Sequence, residues 1–312
     1  MLGWVDFEVT DLGIETDRIG GADRYEVAVN ASEEGFPEGA ETVYLASGEV
    51  FPDALSAAPA AANADGPILL TSGQSVPASV RAEIERLDPT NIVIVGGTAT
   101  VSNRVVIELA ALGKITRIGG ADRYEASRNI AEAAFPDGAP VAVIATGSTY
   151  ADALSAGAAL DGRGPVILVD GSRSQLDGPT TELLEELDVA EIVVVGGTSS
   201  VSGGIASDAS KLASTVRLGG ADRYEASRSI NEYFFESADR VLLATGEKFA
   251  DALSGSGLAP KLDAPLFTTP GNCIPVATLN QITELGATRV TLLGGEATLT
   301  VAVEDLTTCG VG

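Results

Sequence analysis

The amino-acid sequence predicts an α/β protein built from three similar modules, each a mainly parallel β-sheet between layers of helices. Three short strings recur in the same order along the 312 residues, at a spacing of about one hundred positions. Within each copy, short β-branched or aliphatic runs alternate with Ala- and Glu-rich stretches of helical length. The runs lack polar alternation, as expected for strands that are covered by helices on both faces.

The three strings define the repeat and its boundaries. Gly-Gly-Ala-Asp-Arg-Tyr-Glu occurs at 20–26, 119–125 and 219–225. An Ala-[Ser/Thr]-Gly step followed by Asp-Ala-Leu-Ser starts at Ala46, Ala145 and Ala244, and an aliphatic run ends in Gly-Gly at 96–97, 196–197 and 294–295. We therefore divide the chain into an N-terminal extension (1–17) and repeat modules at 18–115, 116–215 and 216–312.

In the first copy, strands are predicted at 42–46, 67–70 and 92–95, with helices after Asp23, Asp53, Pro77 and Ser102. No Ser-, Pro- or Gly-rich linker separates the copies, which favours rigid packing. A compact triangle with pseudo-threefold symmetry buries more surface than a row, so we expect that arrangement.

The third copy differs at its end. It lacks the strand that Arg117-Ile118 and Arg217-Leu218 supply after the earlier copies. It also contains both cysteines, Cys273 and Cys309, without CxxC spacing or a histidine. This pattern favours a disulfide that closes a frayed end, worth about 3 to 4 kcal/mol, with two free buried thiols as the alternative.

Composition excludes several classes of partner. With 19 basic and 44 acidic residues, the formal charge of −25 opposes binding to nucleic acids and to anionic membrane surfaces. The apolar runs are far shorter than the roughly 20 residues of a membrane-spanning helix, so no membrane insertion is predicted. Residues 1–8 lack the features of a secretory signal. A Lys-poor, acidic surface further predicts adaptation to high salt.

The chain has no histidine, which excludes a Ser-His-Asp triad and a His-ligated metal site. The phosphate-binding signatures G-x-G-x-x-G and G-x-x-x-x-G-K-[ST] are missing as well. We therefore predict no catalytic residues, no cofactor and no metal. A glycoside hydrolase that uses paired carboxylates is the enzyme class that remains possible. A site repeated three times is, however, more typical of a multivalent binding protein.

Each Gly-Gly-Ala-Asp-Arg-Tyr-Glu string places an arginine just after a predicted helix N-cap. Asp23 and Glu26 have the spacing of a capping box. A cation in the first turn opposes the helix dipole, so the arginine needs an anionic partner. That partner is either an internal carboxylate such as Asp53 or an anionic ligand. We call these three residues the first-turn arginines: Arg24, Arg123 and Arg223.

The Asp-Ala-Leu-Ser strings place an aspartate at the start of a helix, at the carboxyl end of the sheet where α/β folds hold their sites. We call these the helix aspartates: Asp53, Asp152 and Asp251. They are interpreted either as helix caps or as one ligand-binding carboxylate per repeat. In the second case each would work beside an aromatic residue suited to a sugar ring: Phe51, Tyr150 and Phe249.

Together these strings resemble those of the cell wall-binding repeat 2 family, from about Arg18 to the end. The resemblance implies Rossmann/Toprim-like modules in a triangle, located extracellularly at the cell wall or cell surface. It also implies noncatalytic, noncovalent anchoring to an anionic cell-wall polysaccharide or teichoic-like polymer, bound by arginines in clefts between modules. Those arginines would be the first-turn arginines, together with a second set that we call the strand arginines: Arg18, Arg117 and Arg217.

A different interpretation is a self-assembling surface-layer or extracellular filament subunit. Residues 1–17 carry alternating apolar side chains, among them Leu2, Trp4 and Phe7, a pattern typical of a strand that could pair with another chain. The repeats would then form the rigid structural unit of the assembly, and residues 1–17 would mediate self-association.

Overall fold

The computed structural model describes residues 13–310 and confirms the α/β class, with three four-stranded parallel sheets in that range. The chain enters through β1 (Glu15–Ile19) and then builds three modules in turn. The aliphatic runs become strands and the Ala- and Glu-rich stretches become helices, as the sequence predicts. Arg18 and Ile19, at the end of β1, correspond to the Arg117-Ile118 pair one repeat later.

The first module contains α1 (Arg24–Gly35), β2 (Thr42–Ser47), α2 (Pro52–Asn63), β3 (Ile68–Thr71), α3 (Ala78–Leu87), β4 (Asn91–Val95), α4 (Asn103–Leu109) and β5 (Lys114–Ile118). Its sheet has the order β3-β2-β4-β5, with all neighbours parallel. The three predicted strands and four predicted helices of the first copy are confirmed to within two residues.

The second module repeats this order as α5 (Arg123–Ala134), β6 (Val141–Thr146), α6 (Ala151–Ala159), β7 (Val166–Val169), α7 (Gly178–Glu186), β8 (Glu191–Val195), α8 (Gly203–Ala209) and β9 (Ser214–Leu218). The third contains α9 (Arg223–Phe234), β10 (Arg240–Thr245), α10 (Ala250–Leu262), β11 (Leu266–Thr269), α11 (Val276–Glu284), β12 (Arg289–Leu293) and α12 (Val301–Glu304).

The fourth strand of the third sheet comes from the other end of the chain. β1 pairs in parallel with β12, from Glu15 beside Arg289 to Ile19 beside Leu293. It occupies the place that β5 and β9 fill in the first two sheets. The expectation of a third module without this strand is therefore wrong, because the start of the chain supplies it and closes the ring.

This closure shows how the repeats relate to the modules. The predicted boundaries at 17/18, 115/116 and 215/216 fall inside β1, β5 and β9. Each of these strands opens a sequence repeat but pairs with the sheet of the preceding module, and β1 pairs with the third. Sheet pairing thus divides the chain after Ile118 and Leu218, a few residues later than the sequence strings do.

Three central helices, α2, α6 and α10, pack against one another around the pseudo-threefold axis. Small side chains make this packing possible: a Cβ on Gly257 of α10 would lie only 2.7 Å from Ile68 Cγ2 of the first module. Buried serines join the modules as well, with Ser56 Oγ donating to Ser127 Oγ at 2.9 Å. Such close packing is typical of a rigid assembly.

The strands contribute to two cores because successive side chains point to opposite faces. In β6, Val143 and Ala145 face a core shared by all three modules, whereas Ala142 and Ile144 face an outer core of the second module alone. The shared inner core fixes the modules relative to one another and positions the clefts between them.

The disulfide is confirmed. Cys273 and Cys309 are bonded, with their Cα atoms 4.9 Å apart. A β-bridge between Ile274 and Thr308 lies beside them. The disulfide fastens the segment after α12 to the loop after β11, whereas β1 completes the sheet. Residues 1–12, on which most of the proposed self-association pattern falls, lie outside the described residues.

Candidate functional site

Three clefts, at corresponding positions of the repeat, lie at the junctions between modules. In each, the start of a central helix faces the start of the first helix of the next module. The first-turn arginines and the helix aspartates meet there, each pair drawn from two different modules. We name the clefts by the modules that form them: cleft 1–2 contains Asp53 and Arg123, cleft 2–3 contains Asp152 and Arg223, and cleft 3–1 contains Asp251 and Arg24.

Each first-turn arginine is anchored within its own module by one nitrogen. Arg123 Nη1 donates to the carbonyl oxygen of Gly147 at 2.6 Å, and the other two bond in the same way to Gly48 and Gly246. The glycine is needed because a Cβ on Gly147 would lie 2.6 Å from Tyr124 Cε1. The Ala-[Ser/Thr]-Gly string and the Arg-Tyr step are therefore two halves of one contact.

The guanidinium groups also reach the neighbouring module. Arg123 Cζ lies 6.0 Å from the ring centroid of Phe51, and Arg223 Cζ lies 5.9 Å from that of Tyr150, both within cation–π range. The ion pairs among residues 13–310 include none of the three first-turn arginines. Their charge influences a carboxylate of the neighbouring module without being neutralised by direct contact.

The helix aspartates are not helix caps, so the capping interpretation is wrong. The N-cap position belongs to the preceding aromatic residue, such as Phe51, whose side chain makes no capping bond. Asp53 is instead the second residue of α2 and turns its carboxyl toward Gly96. A Cβ on Gly96 would lie 2.6 Å from Asp53 Oδ2, and Gly96 has a φ of +104°. We call Gly96 and its counterparts the turn glycines: Gly96, Gly196 and Gly294.

Burial raises the pKa of each helix aspartate. A hydroxyl hydrogen bond lowers it in part, from Thr100 to Asp53 for example, and so does the first-turn arginine across the cleft. Asp251 is the most deeply buried, with 6% of its surface exposed. A Cβ on the turn glycine would leave no room for this carboxyl group, which accounts for the first glycine of each Gly-Gly step.

Sequence reasoning missed the hydroxyl partners of these aspartates. Each lies four residues after a turn glycine, so a recurring Ser or Thr at that spacing was the available signal. They are Thr100, Ser200 and Thr298.

The aromatic residues do not serve separate carboxylates but meet on the axis. Ring centroids of Phe51 and Tyr150 lie 5.5 Å apart, those of Phe51 and Phe249 6.1 Å, and those of Tyr150 and Phe249 5.9 Å. Tyr150 Oη also donates to the Glu247 carbonyl at 2.6 Å. We call these three residues the axial aromatics; two of them, Tyr150 and Phe249, form the aromatic floor of cleft 3–1.

The strand arginines have a clear place in the fold. Arg117 Nη1 donates to the carbonyl of the turn glycine Gly96 at 2.8 Å, and Arg18 and Arg217 do the same to Gly294 and Gly196. Arg18 also pairs with Glu304 at 2.7 Å. These arginines tie β1, β5 and β9 to the turns that hold the helix aspartates.

The capping box is confirmed in its main bond. Asp23 Oδ1 accepts from the backbone N–H of Tyr25 at 2.9 Å and of Glu26 at 3.0 Å. Glu26 reaches back to the N–H of Ala22, one residue before the cap, at 2.6 Å. The carboxylates of Asp23 and of the equivalent Asp122 and Asp222 are thus committed to helix starts.

Cleft 3–1 has a volume of about 420 Å³ and cleft 1–2 about 270 Å³. Cleft 3–1 is lined by Arg24, Asp251 and Lys248, and by Tyr150 of the second module. Sequence reasoning missed Lys248 because it lies between the repeated strings. Among residues 13–310, no group of three or more His, Cys, Asp or Glu is arranged to hold a metal ion. No helix in the same range is long and apolar enough to cross a membrane.

Comparison with known proteins gives relatives over nearly the whole chain. The amidase enhancer of Bacillus subtilis (strain 168) is 28% identical over 292 residues, which cover 93% of this chain and 40% of that protein. The N-acetylmuramoyl-L-alanine amidase LytC of the same strain is 31% identical over 274 residues, 86% of this chain and 53% of that protein. The chain thus spans about half the length, or less, of these relatives.

Two solved structures share the arrangement of modules. Cwp6 from Clostridium difficile has a TM-score of 0.86 at 28% identity, covering 96% of this chain and 49% of that one. Cwp8 from Clostridium difficile has a TM-score of 0.84 at 28% identity, covering 94% of this chain and 51% of that one.

The cell wall binding domain 2 (CWB2) family matches three times, at 18–106, 117–206 and 217–304. The matches follow the three repeats in register and together cover most of the chain. With three matched repeats, and two solved structures that share the whole ring of modules, this chain belongs to the CWB2 family of cell wall-binding domains.

Proposed function

We propose that this chain anchors a protein noncovalently to an anionic polymer of the cell wall, and that the polymer binds in the clefts between modules. The first-turn arginines supply the cationic groups. The observation that carries the proposal is the state of these arginines: each is held by one hydrogen bond to a glycine carbonyl, and none forms an ion pair with a described carboxylate. In this proposal their remaining N–H groups donate to an oxygen of the ligand.

The surroundings of the clefts support an anion. The helices α2, α6 and α10 begin at the axial aromatics, so the positive ends of their dipoles converge there. Local cationic groups can therefore act against a net charge of −25, most effectively where salt screens the rest of the surface.

Binding fits the clefts better than hydrolysis. Glycoside hydrolysis requires two carboxyl groups on either side of the scissile bond. In cleft 1–2 one carboxyl, Asp53, lies against a turn glycine, and the other, Asp122, caps α5 through two backbone N–H groups. Neither carboxyl is arranged to act on a substrate. The proposal therefore assigns no catalytic role to this chain.

The names of two relatives agree with a location at the wall. One is an N-acetylmuramoyl-L-alanine amidase and one an amidase enhancer, and both extend well beyond the region they share with this chain. We propose that this chain acts likewise as the wall-binding part of an extracellular protein. Self-association through residues 1–17 stays a prediction: residues 15–17 pair within the third sheet, and residues 1–12 lie outside the described range.

Co-sedimentation with purified Gram-positive cell walls tests the proposal. The triple variant Arg24→Ala, Arg123→Ala, Arg223→Ala is expected to remain in the supernatant, whereas the wild type is pelleted. The matched control, Arg81→Ala, Arg104→Ala, Arg173→Ala, changes the net charge by the same amount at side chains 42%, 73% and 63% exposed. Equal retention of the first variant and the wild type would contradict the proposal, and equal loss of both variants would reduce it to a nonspecific charge effect.

A further inference from the structure

We propose that the three clefts are unequal and that cleft 3–1 is the principal one, where Arg24 and Lys248 together bind one anionic group of a polymer sugar unit. The group is a phosphate or a carboxylate, and the sugar ring lies against the aromatic floor. This inference rests on the proposed function and adds which cleft dominates and what it recognises.

Lys248 distinguishes cleft 3–1 from the others. It lies three residues before Asp251, is exposed, and lines the cleft. The same position carries Val50 in the first repeat, with 45% of its surface exposed, and Thr149 in the second. At this position of the three described repeats, a second cation is thus offered only where the third module meets the first. An arginine fork and a lysine point charge suit an anionic group with several oxygens.

The carboxylates near Lys248 do not neutralise its positive charge. Asp23 is committed to the backbone N–H groups at the start of α1. Glu247 lines the cleft as well, but the ion pairs among residues 13–310 include none made by Lys248. Asp251 remains, and burial raises its pKa, whereas Lys248 and Arg24 both lower it. The two cations therefore act on the same point of the cleft.

The shape of cleft 3–1 also differs. Its volume is about 420 Å³, against about 270 Å³ for cleft 1–2. All three modules line it: Arg24 comes from the first, Tyr150 from the second and Phe249 from the third, and the rings of the last two lie 5.9 Å apart. The faces of aromatic rings suit the apolar face of a sugar. A charged sugar unit can thus place its anionic group between the cations while its ring packs on the floor.

Single substitutions test the inequality. Arg24→Ala, Arg123→Ala and Arg223→Ala are compared one at a time for retention on purified cell walls over a range of wall concentrations. Arg24→Ala is expected to weaken binding about tenfold or more, since bonds to charged groups are the strong ones, and each of the others only about twofold. Three equal losses would overturn the inequality while leaving the proposed function standing. Full retention of the triple arginine variant would instead overturn the proposed function itself.

Exchange of the distinguishing residue is a sharper test. Lys248→Thr introduces the residue of the second repeat and is expected to weaken wall binding about three- to tenfold. Lys211→Thr is the matched control, because Lys211 is 70% exposed and pairs with Asp208 away from the clefts. The reverse exchange, Thr149→Lys, is expected to strengthen binding by adding a second cation to cleft 2–3. No difference between Lys248→Thr and Lys211→Thr would overturn the role of Lys248.

Soluble competitors identify the anionic group. Poly(glycerol phosphate) and polygalacturonate are each added to the wall-binding assay with the wild type and with Lys248→Thr. Competition by the first alone assigns a phosphate, by the second alone a carboxylate, and in each case Lys248→Thr should require more competitor. If neither polymer competes while the wild type still binds walls, the assignment of an anionic group is overturned.

Discussion

Gly96 and its two counterparts show how one residue type can link two distant motifs. Each turn glycine has a positive φ, between +96° and +109°, and each would direct a Cβ at the Oδ2 atom of a helix aspartate, 2.5 to 2.6 Å away. The backbone conformation and the close approach both demand glycine. The Gly-Gly step is therefore required by the Asp-Ala-Leu-Ser string, whose aspartate packs against it from about forty residues earlier in each copy.

Replacement of a turn glycine tests this dependence. Gly96→Ala is expected to lower the free energy of unfolding by about 2 kcal/mol or more, because alanine is strained at positive φ and displaces the buried carboxyl of Asp53. The measurement is urea unfolding followed by circular dichroism. Gly97→Ala is the control, since a Cβ there meets no atom within 4 Å. Equal stability of the two variants would contradict the argument.

The helix aspartates make stability depend on pH. Burial raises the pKa of each one, so the folded state binds protons more tightly than the unfolded state. The stability that these groups contribute is present below the unfolded pKa, about 3.9, and is lost as the pH rises through the folded value. Ionisation of the buried carboxyls thus opposes folding at neutral pH.

The triple variant Asp53→Asn, Asp152→Asn, Asp251→Asn removes this titration. The free energy of unfolding of the variant minus that of the wild type should therefore become more positive as the pH is raised from about 4 to about 7. Denaturant unfolding at a series of pH values measures the difference. A difference that stays constant or falls over this interval would show that the carboxyls are not destabilised by burial.

At the residue scale, the sequence predicted the charged groups better than their partners. The capping role of Asp23 and the need of Arg24 for an anionic neighbour both follow from helix electrostatics, which is local. The carboxyl group whose pKa Arg24 lowers, that of Asp251, lies in another module and could be matched to Arg24 only once the ring was closed. For the same reason the aromatic residues, each predicted to serve one repeat, were not expected to meet on the axis.

At the scale of elements, β1 decides whether the third module is complete. It forms the edge of the third sheet beside β12, in the place that β5 and β9 take in the other sheets. Its Arg18 donates to the carbonyl of Gly294, which ties the strand to the turn below Asp251. Loss of this strand should therefore disturb cleft 3–1 as well as the sheet.

Truncation tests the role of β1. Deletion of residues 1–19 is expected to lower the melting temperature and to increase hydrogen exchange in β12, because the sheet loses its edge strand. Deletion of residues 1–12 leaves β1 in place and serves as the control. Differential scanning calorimetry and hydrogen–deuterium exchange provide the measurements. Identical behaviour of the two truncated proteins would contradict the closure.

The disulfide stabilises the same module by a separate route. It links residues 36 positions apart, so the double variant Cys273→Ala, Cys309→Ala should lose about 3 to 4 kcal/mol of unfolding free energy. Urea unfolding measures the loss. A reducing agent should destabilise the wild type by a similar amount and leave the double variant unchanged. A response of the double variant to the reducing agent would point to another cause.

Most elements could be predicted because their signals are local. The runs at 42–46 and 92–95 are strands in sequence and in structure, since β-branched composition and flanking Gly and Pro act over a few residues. The partner of β12 could not be predicted locally. A signal was nevertheless present: Arg18-Ile19 repeats Arg117-Ile118, and a cyclic shift of the repeats would have assigned it to the third sheet.

At the scale of the whole molecule, charge is the dominant property outside the clefts. A formal charge of −25 on 312 residues produces mutual repulsion that salt screens. The melting temperature is therefore expected to rise between about 0.1 M and about 1 M sodium chloride. The melting temperature should rise less in a variant with fewer exposed charges, Glu38→Gln, Glu41→Gln, Glu132→Gln. A melting temperature that is flat or falls with salt would contradict adaptation to a saline environment.

The closure by β1 has a consequence for biosynthesis. Glu15 and Arg289 bond across a sequence separation of 274 residues, so β1 is translated long before the strand that it pairs with. Until β12 is synthesised, β1 has no partner strand, and an unpaired strand edge is an aggregation hazard. Cells that produce this chain should therefore gain from any helper that shields β1 until β12 has been translated.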